Sequence, residues 1–161
     1  MKAISVAFLL MIGCGSEGSG PGSQEAAVYI ELMTPLIHEN RLLADQVLQT
    51  AADLHNGETK NEDALERWNK DIIPLANHLF HESAILRTPP EWSEKHGVLI
   101  DIWETRSKAY EEIAQAIERG DRAVWERAKT HSGQAKIREE SWFNETNKTL
   151  SPMSLRLSPY H

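Results

Sequence analysis

Three breaks constrain what this chain can fold into. Asn56-Gly57, Thr88-Pro89-Pro90 and Gly120-Asp121 each join residues that stop a helix to residues that can start one. Between the breaks, apolar residues recur at spacings of three, four or seven, which is the helical period and not the alternation of a strand. The first segment, 24–55, carries Ile30, Met33, Ile37, Ala44, Val47, Ala51 and Leu54. The second, 61–87, carries Leu65, Trp68, Ile72, Leu75, Leu79 and Leu86. The third, from Pro89 to Arg119, has Trp92, Leu99, Trp103, Tyr110, Ile113 and Ile117; the fourth, from Arg122 to about Asn144, has Val124, Ala128, His131, Ala135 and Trp142. No stripe can be buried alone, and turns this short make sequential helices neighbours. The expectation is all-α: an antiparallel up-down four-helix bundle over residues 24–146, with a three-helix core and a loosely held first segment as the alternative.

Proline refines it. Pro35 and Pro74 predict kinks, because proline lacks the N–H of the helix ladder and clashes with the preceding turn; Thr34 is placed to cap a restart. Thr88 is the expected cap of the third helix, Gly120 the stop after it, and Asp121 the cap of the fourth. Pro152 and Pro159 predict an irregular tail over 147–161.

Ahead of the helices lies a different composition. Lys2 precedes an apolar run, Ala3 to Ile12, whose roughly ten residues suit a secretory signal and fall short of the roughly 20 that span a bilayer. The residues Met11-Ile12-Gly13-Cys14 resemble the lipobox of bacterial lipoproteins. That resemblance implies a signal peptide of residues 1–13, removed before Cys14, and a diacylglycerol thioether and further acyl chain on Cys14. It implies an extracytoplasmic protein held at a bacterial membrane, at the outer membrane or periplasmic face of a Gram-negative cell. Cys14 is the single cysteine, as an anchor requires and an internal disulfide forbids. Residues 15–23, GSEGSGPGS, read as a flexible tether, so 14–23 join lipid to bundle.

The net charge of −7 gives nucleic-acid binding no electrostatic support, and any attachment to an anionic bilayer falls to the lipid. The partners implied are the membrane, through the anchor, and an envelope protein or component. No cofactor is expected beyond the covalent lipid.

Seven histidines invite a metal reading. His38, His78 and His96 share a height, but His38 points away from its own stripe. His78 and His81, one turn apart with Glu82, could hold a surface metal ion. His96 and His131 fall on or beside apolar faces, and heights bring His131 towards Tyr110 and Trp68. These four are candidates for an aromatic-walled ligand pocket, or for a buried histidine bonded to Tyr110 or Arg106. Glu139-Glu140 do not form a working pair, since adjacent helical residues diverge by about 100°. Nothing frames a catalytic nucleophile. The function expected is non-catalytic binding at the envelope, with a ligand- or metal-binding bundle as the alternative.

Overall fold

The computed structural model describes residues 22–158. The signal, Cys14 and most of the tether therefore lie outside the described residues. Helix α1 spans Ser23–His55. Helix α2, Asn61–Arg67, runs through a π-helical turn, Trp68–Ile72, into α3, Ile73–Ile85. A 3-10 turn, Pro90–Trp92, leads into α4, Ser93–Arg119, and α5 covers Arg122–Leu150. With α2 and α3 taken as one arm, this is an all-α four-helix bundle without a strand among the described residues. No helix among them is long and apolar enough to cross a membrane.

Helix α1 buries two interleaved rows of seven-residue spacing: Ala26, Met33 and Asn40, and Tyr29, Leu36, Leu43 and Thr50. That is the seam of a coiled-coil-like contact. Met33 and Ile37 are buried as the sequence predicts, but Ala44 and Ala51 are exposed and Ile30, Val47 and Leu54 half-buried. A hydropathy stripe drifts here because the true seam includes two polar residues, Asn40 and Thr50.

No break interrupts the helix at Pro35, and beside Pro74 the helix is locally distorted. Helix α1 continues unbroken through Pro35, whose ring lies on the exposed face, and Thr34 caps nothing: its hydroxyl donates to the Ile30 carbonyl at 2.7 Å. Pro74 sits in the first turn of α3, directly after the π turn, where the Ile73 N–H reaches back five residues to the Trp68 carbonyl. A wider turn is one way for a helix to absorb a residue that cannot donate. Thr88 is likewise no cap, since residues 86–89 lie outside any helix and the 3-10 turn intervenes. Gly120 and Asp121 behave as read. Gly120 takes φ 63°, and the Asp121 carboxylate accepts from the Ala123 and Val124 amides at 3.0 and 3.1 Å.

The tail departs furthest. Helix α5 runs on to Leu150, and Leu150 and Leu157 are both fully buried. The Asn147 side chain clasps Leu157, donating to its carbonyl at 2.9 Å and accepting from its amide at 2.8 Å. An amide that satisfies both backbone groups of one residue fixes a chain that proline keeps out of regular structure.

Helix α4 is the central element, packed on α3 along one side and α5 along the other, while α1 packs mainly on the α2–α3 arm. Helices α1 and α5 have almost no close approach, so the ring of four is open along one seam.

Two measurements check this account. Leu157→Ala removes a buried side chain and should lower unfolding stability by about 2–4 kcal/mol, against near zero for a loose tail. Asp121→Ala should cost about 1 kcal/mol through loss of the cap. Both are read from urea unfolding followed by circular dichroism.

Candidate functional site

The open seam is a cleft of about 680 Å³ whose walls are residues 40–48 of α1 and 132–144 of α5 and whose floor is α4. Its apolar wall includes Ala44, Val47, Leu48 and Phe143, and Leu48 is 62% exposed. The floor is polar and already assembled. Arg106, on the buried face of α4, places Nη1 at 3.0 and 3.2 Å from the two carboxylate oxygens of Glu139 and donates through Nη2 to the Asn40 side-chain oxygen. Asn40 returns a bond from Nδ2 to Glu139 at 3.0 Å, and the Trp103 indole N–H donates to the same carboxylate at 2.6 Å. The guanidinium also lies 5.9 Å from the Trp103 ring centroid.

Three helices meet at this node: Asn40 from α1, Arg106 and Trp103 from α4, Glu139 from α5. The pair is almost dry, with side chains 7% and 13% exposed. At such a site the Coulombic gain survives only because further donors satisfy the carboxylate. One donor is left over, since Arg106 Nε is buried without a partner. Above it, Tyr110 and Ser132 line the same cleft. Burial raises the Tyr110 phenol above its ordinary value, against the lowering effects of the Arg106 charge and a hydrogen bond with Ser132. The phenol therefore stays protonated and available as a donor.

Sequence reasoning missed Glu139 and Asn40. It set Glu139 aside with its neighbour Glu140, although the seven-residue row Ala128, Ala135, Trp142 on α5 puts Glu139 beside the interior and Glu140 outside. The signal was available. Asn40 and Glu139 fall on the seams of their helices, where an unbonded polar group is costly.

The four residues expected to share a ligand pocket separate. Trp68 and Tyr110 do meet, edge to face at 5.3 Å, within the core. His131 does not join them: its side chain is 45% exposed and its Nδ1 lies 3.7 Å from Glu112 on α4. The buried row of α5 runs through Ala128, Ala135 and Trp142, and His131 sits at its edge. His96 is buried, but far along α4, under Tyr29 and Trp92. Its Nε2 lies 2.8 Å from the Ser83 carbonyl, an atom that can only accept, so Nε2 carries the proton and Nδ1 accepts from the Tyr29 hydroxyl at 3.3 Å. The bonded-histidine alternative thus describes His96, with Tyr29 and Ser83 as its partners. Tyr29 in turn stacks on Trp92 at 4.8 Å.

The surface metal candidates each have a neighbour of their own. His78 turns to Glu39 of α1 at 3.4 Å, His81 packs on Phe80 at 4.9 Å, and no three His, Cys, Asp or Glu side chains among the described residues gather as a metal would need. His38 is exposed. Trp142 is buried and donates to the Lys95 carbonyl at 2.6 Å, while Trp125 is half-buried against the core.

Removing one partner of the node should cost far more than removing both. Glu139→Ala should destabilise by about 3–5 kcal/mol by stranding the guanidinium, and Arg106→Met with Glu139→Leu should recover most of that loss. Chemical unfolding of the two variants checks it. Burial lowers the His96 pKa from its ordinary 6.5, so the unfolded chain binds that proton more readily than the folded one. Stability from this group is complete above about pH 6.5 and declines as pH falls, by at most about 1.4 kcal/mol per pH unit. His96→Gln should flatten that slope in denaturant midpoints measured from pH 7.5 to 5. Compared with protein-family models, with curated proteins and with solved structures, the chain matches none.

Proposed function

We propose that this chain is a lipid-anchored cell-envelope protein with a non-catalytic binding or accessory role, and that the α1–α5 cleft is the surface it binds with. One observation carries the reading of the cleft. A long seam of the bundle is left open over a floor whose polar groups are already positioned, which is what a preformed recognition site needs. The anchor is argued from Met11-Ile12-Gly13-Cys14 and the single cysteine. Several acyl chains on Cys14, at about 0.8 kcal/mol per buried methylene, would make attachment persistent where one chain alone is marginal. The −7 charge keeps the helical body off an anionic surface, leaving it free to meet a partner in the envelope.

Two arms test this in a bacterial host. Intact-mass analysis of the membrane-extracted protein should find a chain beginning at Cys14 and carrying acyl mass; retained residues 1–13 or a bare thiol reject the anchor. A photocrosslinking residue at Lys136, in the cleft wall, should capture a defined envelope partner, and the same residue at Lys70, on the exposed face of the π turn, should not. Equal capture at both positions rejects the cleft.

A further inference from the structure

The chemistry of the cleft points to a class of ligand. We infer that it binds a neutral amphiphile: an elongated apolar chain carrying a small, uncharged, hydrogen-bond-accepting head such as an ester or amide. This rests on the cleft being the binding surface and adds what fills it.

Size comes first. About 680 Å³ lies within the roughly 300–1,000 Å³ of small-molecule sites. The shape is long, since residues 40–48 and 132–144 run about 12 and 18 Å at about 1.5 Å per residue. Charge argues for neutrality. The lining holds Arg41, Arg106 and Lys136 against Asp45, Glu139 and Glu140, three of each sign. The Asn40–Glu139 bond fixes the antiparallel register, which sets Arg41 near the height of Glu140 and Asp45 near that of Lys136. Neither end of the cleft is therefore a pole of one sign. A carboxylate or phosphate entering at the floor would meet Glu139, which already holds Arg106 through two contacts. An uncharged acceptor meets no such opposition.

The polar and apolar features are also segregated as an amphiphile would need. The groups that can donate into the cleft are the hydroxyls of Tyr110, at the floor, and Ser132, on the α5 wall beside it, a pair whose mutual bond uses one of their two protons. Ala44, Val47, Leu48 and Phe143 supply the apolar wall, with Leu48 left largely uncovered. Gly133 lies in that wall, and a Cβ built there meets nothing within 4 Å. The glycine leaves room in the cleft that a larger side chain would occupy.

The test uses the full 161-residue chain made by cell-free synthesis, so that Cys14 stays unacylated. Monolauroylglycerol, below the concentration at which it forms micelles, is titrated calorimetrically beside laurate and dodecyltrimethylammonium. One equivalent of monolauroylglycerol should bind, with both ions at least about tenfold weaker. Gly133→Leu should weaken it by at least about tenfold while the melting temperature holds or rises, because leucine is the better helix former. Absence of saturation, an ion binding as tightly as the neutral ester, or unchanged affinity in Gly133→Leu overturns the inference. Failure here with capture at Lys136 intact rejects the amphiphile alone; loss of both rejects the cleft as a binding surface.

Discussion

An arginine and a glutamate taken out of water hold three of the four helices in register. Alone, the Arg106–Glu139 pair would be a poor source of stability, because desolvating two charges consumes most of their attraction. Asn40 and Trp103 change the balance by bonding the carboxylate, and Asn40 also accepts from the guanidinium. A buried polar group on a helix seam rewards one alignment and penalises the neighbouring ones, since any slip strands a donor or a charge. The node therefore specifies which turn of α1 faces which turn of α5.

The α4–α5 and α3–α4 contacts bury long apolar faces, and α1 adds Ala26, Tyr29, Met33, Leu36, Ile37 and Leu43 to the same core. Helix α1 is joined at its first half by Tyr29, stacked on Trp92 and bonded to His96, and at its middle by Asn40. Beyond Asn40, α1 and α5 stay apart. The cleft is the geometric remainder of a helix whose later turns pack on the α2–α3 arm, through Leu43, Thr50 and the Asp53–Arg67 pair, and leave their α5-facing side uncovered.

How much of this could be read from sequence follows from what hydropathy measures. Helix number, the Gly120-Asp121 junction and the burial of Trp68, Trp92 and Trp103 were legible, because apolar period and cap chemistry are local. The α1 seam was not, because two of its positions are Asn40 and Thr50, and polar side chains look like surface until their partners are known. Glu139 was hidden the same way, its partners lying 99 and 33 residues distant in the chain. The Leu157 contact was obscured by prolines on either side, which forbid a helix but not burial. His131 shows the sensitivity of such reasoning: it lies between the buried Ala128 and Ala135 in sequence, yet its side chain stays 45% exposed beside Glu112.

Gly22 lies beside Met153, so the start of α1 and the segment after α5 meet at one pole of the bundle. Whatever precedes Gly22 departs from that pole, and Asn40 to Leu48 stand about 27 to 39 Å along the helix from it, at about 1.5 Å per residue. The pole where the two ends meet and the α1 wall of the cleft are thus separated by most of the length of the bundle, so a change at one need not disturb the other.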